Sequence, residues 1–198
     1  MRSSLSPFRR SLSQRALQAG GVVTFAATGA ACDSLPALGM GPMGGSGMAL
    51  DIAGGNWDEI LAAEHRAVDR MFTEMMAPSS TAALRADLAS MVKDALSQHA
   101  LREENVVYPA LRRMGAEQEA RELFIEHAEI KTALSVITTR PPTDPQWTEA
   151  ANALVAGVPS HVREEEDVVF LAFKVRLSSE DNAVLTELLW MEAATYTG

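Results

Sequence analysis

The amino-acid sequence predicts an all-α protein: an up-down-up-down four-helix bundle followed by a short fifth helix near its C-terminal end. Three observations support this prediction. From residue 57 onward, apolar residues recur at intervals of three and four, which is the period of a helix with one buried face. No stretch alternates apolar and polar residues as a half-buried strand does. The connections between the periodic stretches are short, which favours antiparallel neighbouring helices.

Residues 1–32 differ from the rest, and we expect them to be an export signal. They contain four arginines and no acidic residue, and their apolar run is too short and too weak for a transmembrane helix. The text "FRRSLS" resembles a twin-arginine translocation signal. "TGAAC" allows either cleavage after Ala30 or Ala31, or a lipobox in which a lipidated Cys32 tethers the protein to a membrane. The alternative is a cytoplasmic protein with a disordered tail.

Residues 33–56 contain seven glycines and two prolines without periodicity, which is typical of a flexible Gly- and Met-rich linker. The bundle is therefore predicted at residues 57–198.

Charge and cysteine content limit the partners. The chain carries a net charge of -9, and because residues 1–32 contribute +4, the remainder carries -13. Such an acidic body argues against a nucleic-acid partner, since phosphate binding needs positive charge. The single cysteine excludes an intrachain disulfide and a cysteine-based metal cluster.

The first two predicted helices have clear ends. Asn56 is a suitable N-cap for the first helix, and Pro78 follows its end. The second helix closes at Gly115. Pro109 lies inside it, and we expect this proline to kink the helix or loosen one turn rather than to end it.

The remaining helices follow in the same way. The third runs to Pro141. The fourth has Asp144 as its N-cap and Pro145 as its first residue. The fifth covers the shorter text "SSEDNAVLTELLWMEAA".

The histidines follow a repeated pattern. The chain has four, and one falls near the middle of each long predicted helix: His65, His99, His127 and His161. The spacing is 34 residues within the first pair and again within the second. The sequence "HALREENVVY", which begins at His99, is matched by "HVREEEDVVF", which begins at His161. The first histidine of each pair, His65 or His127, directly follows a glutamate. The sequence therefore indicates a duplicated helix hairpin.

This repetition predicts a metal site. His99 and Glu103 alone could be a surface contact across one helical turn. Antiparallel helices, however, bring all four histidines to one depth together with Glu103 and Glu165, where imidazoles and carboxylates without partners are costly. A bound cation removes that cost. Four imidazoles and two carboxylates able to bridge form a ligand set for two adjacent metal ions that keep open coordination positions.

Over residues 57–177 these motifs resemble the hemerythrin-like family, the HHE cation-binding domains. The signature of that family is a histidine, a His-x-x-x-Glu motif, a histidine and a second His-x-x-x-Glu motif. Its residues here are His65, His99, Glu103, His127, His161 and Glu165. The pair "EE" at Glu103 and Glu104, followed by "YP" at Tyr108 and Pro109, also resembles sequences of this family. The resemblance implies two non-haem iron ions bridged by the two glutamates and by an oxo or hydroxo group, with manganese and zinc as alternatives.

Two positions depart from the oxygen-carrying hemerythrins. Lys131 stands where those carriers have a fifth histidine, and Glu165 stands where they have a bridging aspartate. The six-ligand set is more similar to that of the repair-of-iron-centres proteins.

Residues that adjoin the predicted ligands are expected to have lesser roles. Asp69, one turn after His65, is interpreted as a hydrogen-bonding or structural residue rather than a ligand. Tyr108 is expected either to hydrogen bond near the site or to complete the core. Four glutamates point about 100° away from the ligands around their helices, so most are expected to be solvated or to orient basic neighbours. They are Glu64, Glu104, Glu126 and Glu166.

Three functional hypotheses follow. The first is an exported di-iron protein of the periplasm or cell envelope that binds or senses O2 or NO. The second is a di-iron enzyme acting on peroxide or NO, or an iron donor for the repair of damaged iron centres. The third is a structural bundle whose metal only stabilises the fold.

Overall fold

A computed structural model describes residues 55–195, which are helical and contain no strand, so the all-α prediction is confirmed. The predicted export signal and residues 33–54 of the predicted linker lie outside the described residues. The helices are α1 (Trp57–Met76), α2 (Ala82–Arg102), α3 (Tyr108–Arg113), α4 (Glu117–Thr139), α5 (Pro145–Glu164), α6 (Phe170–Lys174) and α7 (Ser179–Thr195).

Four long helical segments form the bundle. α2 continues into α3 through a π-helical turn at Glu103–Val107, and α5 continues into α6 through a second one at Glu165–Val169. α1 packs against α2, α4 packs against α5, and contacts of α2 with α4 and of α1 with α5 close the bundle. α7 lies across α1, α2 and the first π turn. This is the predicted bundle with a fifth helix.

The predicted helix ends are present. The Asn56 N–H donates to the Glu59 carboxylate at the start of α1, and the Asp144 carboxylate accepts from the Gln146 N–H at the start of α5. After α3, Gly115 has φ 85°, a left-handed conformation that side chains disfavour.

Both ligand-bearing segments contain a widened turn. The loosened turn that was expected next to Pro109 is present. It is the π turn Glu103–Val107, which directly precedes α3. An identical widening at Glu165–Val169 is followed by Phe170 and Leu171, with no proline. Proline is therefore not required for the turn. What the two turns share is their place at the end of a His-x-x-x-Glu motif, and π turns are frequent at functional sites.

The apolar core consists of two clusters. One contains Trp57, Tyr108, Leu111, Leu123 and Phe173. The other lies further along the helices and is built from residues such as Phe72, Val92, Ile137, Trp147 and Leu154. Along every long segment, the buried histidine lies between the stretches that form these clusters.

α7 completes the first cluster. Its Leu185 and Leu189 are buried. Asn182 and Thr186 accept hydrogen bonds from the indole N–H and the backbone N–H of Trp57, at 2.9 and 3.0 Å. Among the helices of residues 55–195, none combines the length and the apolar character needed to cross a membrane.

We expect Leu189→Ala to lower the free energy of unfolding by about 2 to 5 kcal/mol, because truncating a buried leucine removes apolar contacts and leaves a cavity. Leu189 is 1% exposed, and its neighbour Leu188 is 42% exposed. Leu188→Ala is the control, with an expected change within about 0.5 kcal/mol. Chemical denaturation followed by circular dichroism measures both, and equal effects would contradict the placement of α7.

Candidate metal centre

All six predicted ligands meet between the two core clusters. The Nε2 atoms of His65 and His99 lie 2.9 Å apart, and those of His127 and His161 lie 3.0 Å apart. Each pair forms a four-residue group with the same two glutamates, Glu103 and Glu165, and within each group the ligand atoms lie within 4.8 Å of one another. The structure thus contains two adjacent groups of metal-binding atoms, each with two imidazoles and two shared carboxylates.

Glu103 and Glu165 lie between the histidine pairs, and each is 0% exposed. Glu103 Oε2 is 3.1 Å from His99 Nε2 and 3.2 Å from His127 Nε2. Glu165 Oε2 is 3.4 Å from Nε2 of both His65 and His161. One oxygen of each carboxylate therefore faces both histidine pairs.

The expectation that most adjoining glutamates are solvated or orient basic neighbours holds for Glu166, which is exposed, and for Glu64 and Glu104, which pair with basic residues. It did not include the main contact of these glutamates. Each accepts a hydrogen bond from the Nδ1 atom of a histidine on another helix, at 2.6 to 2.9 Å. The four bonds join Glu64 to His99, Glu104 to His127, Glu126 to His161 and Glu166 to His65. They link α1 to α2, the first π turn to α4, α4 to α5 and the second π turn to α1, which closes a ring around the bundle.

Two members of this ring do hold basic residues as well. Glu64 pairs with Arg102, and Glu104 pairs with Lys131 at 2.6 Å. Lys131, at the position of the missing fifth histidine, is thus directed to a ring carboxylate. The duplicated "EH" and "EE" pairs were the sequence signal for the ring, but the helix that each glutamate would reach is set only by the packing.

The chemistry of the six groups fits a metal. Carboxylates facing all four Nδ1 atoms favour the tautomer with hydrogen on Nδ1, so the Nε2 lone pairs point at one another and at carboxylate oxygens. Buried lone pairs that converge in this way repel each other unless a cation lies among them. Glu103 Oε1 and Glu165 Oε2 are in addition buried without a hydrogen-bond partner. Histidine and carboxylate ligands suit first-row transition ions such as iron and zinc.

The pKa values of the histidines and glutamates also indicate that the centre favours positive charge. Burial opposes the charged form of His99, but the carboxylates of Glu103 and Glu64 outweigh it and raise the pKa of His99 well above its usual range. Despite its burial, His127 has its pKa raised to about 9 by Glu103 and Glu104. Burial likewise opposes the charge of Glu103, yet His99 and His127 hold the pKa of Glu103 well below its usual range.

Tyr108 reaches the centre as well. Its hydroxyl donates to Glu165 Oε1 at 2.6 Å and lies 3.0 Å from His127 Nε2. Burial and the charges of Glu103 and Glu165 raise the pKa of Tyr108 well above its usual range, so the phenol keeps its proton. Of the two expected roles, the hydrogen bond is present, and the ring also packs edge-on against Phe124. Asp69 is exposed and belongs to neither group of metal-binding atoms.

Two spaces border the centre. A cavity of about 10 Å³ lies against the four histidines and is otherwise lined mainly by aliphatic side chains, including Leu96, Leu134 and Val158. A groove of about 730 Å³ runs between α4 and α5 and reaches His161. The acidic residues that line the groove are Glu119, Glu122, Glu126, Glu129, Glu164 and Asp167.

Comparison with known proteins agrees with this geometry. A sequence model of the hemerythrin HHE cation-binding domain matches residues 58–173, which is more than half of the chain. The chain belongs to the hemerythrin HHE family. The resemblance expected from the six-residue signature is therefore confirmed.

A DNA nickase of Nostoc sp. (strain PCC 7120 / SAG 25.82 / UTEX 2576) is 32% identical to this hemerythrin-like chain over 125 residues. The shared segment covers 63% of this chain and 35% of the nickase, so the chain spans only about a third of that protein. No solved structure matches the chain.

We expect Glu126→Gln to weaken metal binding about 10- to 100-fold, because the carboxylate that orients His161 and makes it a better ligand is replaced by a neutral amide. Glu126 Oε2 lies 2.6 Å from His161 Nδ1. Glu149→Gln removes an equal charge from an exposed site on α5 that lines neither space, and it serves as the control. Competition with a chelator measures the metal affinity of both variants. Equal losses of affinity would contradict the prediction, because they would mean that only the net charge of the protein matters.

The metal-free protein is expected to lose stability as the pH rises from about 6.5 through 9. His127 has a higher pKa in the folded state, about 9, than the usual 6.5 of an unfolded chain, so its protonation stabilises the fold below 6.5 and this contribution disappears as the folded-state proton is lost. Urea denaturation at a series of pH values after chelation measures the trend. A free energy of unfolding that stays constant or increases over this interval would contradict the expected protonation.

Proposed function

We propose that this protein holds two iron ions in the described centre and uses them to bind a diatomic ligand, O2 or NO. The observation that carries the proposal is the pair of buried ligand groups that share Glu103 and Glu165 beside a very small, mainly aliphatic cavity. Two imidazoles and two shared carboxylates leave an octahedral ion with free coordination positions. Iron bound there supplies a change of redox state and an open position for the incoming molecule.

The protein's own residues define what reaches the centre. Aliphatic side chains line the small cavity together with the histidines, and about 10 Å³ is close to the minimum that one water molecule needs. A space of this size excludes an organic substrate, so the proposed ligand is one of very few atoms that would bind directly to the ions. The ring of glutamates holds the imidazoles in one orientation, so a ligand enters a preformed site.

The acidic groove supports a second candidate, the delivery of iron to other proteins. It reaches His161, and burial together with the charges of Glu126 and Glu122 raises the pKa of Glu164, which shows how closely the carboxylates crowd there. Such a surface attracts cations and repels anions. In this alternative the groove is the path by which iron leaves the centre.

DNA nicking is not proposed for this chain. The nickase is much longer than the shared segment, and a net charge of -9 opposes the approach of DNA phosphates. The proposed location outside the cytoplasm rests on the sequence of residues 1–32 alone.

The proposal is tested by metal analysis of protein from its native host and by absorption spectra of the reduced protein before and after addition of O2 or NO. We expect two irons per chain and a new charge-transfer band with at least one of the gases. His127→Ala should lose metal and band together, because it removes a ligand from one group. Asp69→Asn, which changes an exposed acid outside both groups, should keep both.

Three results would change the proposal. Zinc as the only metal would favour the structural hypothesis. A spectrum that neither gas alters would refute diatomic binding. Iron that transfers readily to an acceptor protein, with no gas-dependent band, would favour the donor.

A further inference from the structure

The two halves of the centre contain the same types of ligand, but the groups that touch those ligands differ. His65 and His99 come from the first hairpin, and His127 and His161 come from the second. Each His-x-x-x-Glu motif is followed by a π turn and then by an aromatic residue. In the first hairpin this residue is Tyr108, and in the second it is Phe170.

The hydroxyl of Tyr108 lies on one side of the centre. It is 3.0 Å from Nε2 of His127, which belongs to the second pair, and it donates to Glu165 Oε1 at 2.6 Å. Its distance to Glu103 Oε2 is longer, 3.4 Å. Within residues 55–195, His65 and His99 are hydrogen bonded to glutamates and to each other but to no hydroxyl group.

The two shared carboxylates consequently differ. Tyr108 occupies Oε1 of Glu165, so the oxygen of Glu165 that remains without a partner is Oε2, which faces both histidine pairs. In Glu103 the oxygen without a partner is Oε1 instead, and it is Oε2 that faces both pairs. The Tyr108 hydroxyl thus holds one carboxylate by a bond of 2.6 Å and lies 3.4 Å from the other.

Core packing alone does not account for the hydroxyl. Phe170 occupies the corresponding position in the second hairpin and packs edge-on against Trp57 with ring centroids 5.1 Å apart. A phenylalanine therefore meets the packing requirement at that position. A buried hydroxyl costs free energy unless it is hydrogen bonded, and at Tyr108 the partners are groups of the metal centre itself.

We propose that Tyr108 is a positioning residue that makes the two metal positions unequal, by donating to Glu165 and by placing its hydroxyl oxygen beside the second histidine pair only. The inference rests on the proposed di-iron function. It assigns one part of the difference between the two halves to one hydroxyl group. An ion held by His127 and His161 would have that hydroxyl beside it, whereas an ion held by His65 and His99 would have none.

The test uses the full chain loaded with ⁵⁷Fe, with the iron content measured first and Mössbauer spectra recorded next. For the wild type we expect two irons per chain and two quadrupole doublets of equal area. Tyr108→Phe removes only the hydroxyl, and the difference in quadrupole splitting between the two doublets should decrease. Phe124→Leu is the matched control. It alters a partly buried ring that packs on Tyr108 but leaves the hydroxyl in place, so it should keep two doublets.

The outcomes distinguish a failure of this inference from a failure of the di-iron function. Two irons with a single doublet in the wild type would overturn the inference and leave the di-iron function standing, even if Tyr108→Phe did not fold. Two doublets that persist unchanged in Tyr108→Phe would also overturn it. An equal decrease in Phe124→Leu and in Tyr108→Phe would assign the effect to packing rather than to the hydroxyl and so refute the inference. Fewer than two irons per chain would refute the di-iron function and the inference together.

Discussion

The structure depends on one electrostatic constraint: the lone pairs of four imidazoles and two carboxylates point at one another inside the bundle. Imidazole nitrogens 2.9 and 3.0 Å apart, with carboxylate oxygens 3.1 to 3.4 Å away, are stable only when positive charge lies among them. Raised histidine pKa values and a lowered glutamate pKa are the response of the protein without metal. The ring of Nδ1 hydrogen bonds and the apolar clusters on either side hold these nitrogen and oxygen atoms close together against their mutual repulsion.

The bundle and the six central residues could be predicted from the sequence because their signals are local and repeated. Helical periodicity and the caps at Asn56 and Asp144 define the helices. Equal spacings of 34 residues place one histidine at the same depth in every helix. The His-x-x-x-Glu spacing puts Glu103 and Glu165 on the same helix faces as His99 and His161, and the structure buries both glutamates.

The surroundings of the centre could not be predicted in the same way, for two physical reasons. The pairing of Glu126 with His161, or of Glu166 with His65, depends on which helices are neighbours and on their rotation, which a single-helix pattern does not contain. Tyr108 follows Glu103 by five residues, and in a regular α-helix that places it about 140° around the helix from Glu103. The π turn, which bonds the Tyr108 N–H to the Glu103 carbonyl, brings both side chains toward the same face.

The ring of histidine to glutamate bonds also gives the two hairpins a reciprocal relation. Two of its bonds, Glu64 to His99 and Glu126 to His161, each stay within one hairpin, and the other two cross between the hairpins. Each hairpin contributes the same kinds of groups to the other. Neither hairpin therefore completes the hydrogen bonds of its own histidines, and separating the two would leave one imidazole of each without its carboxylate.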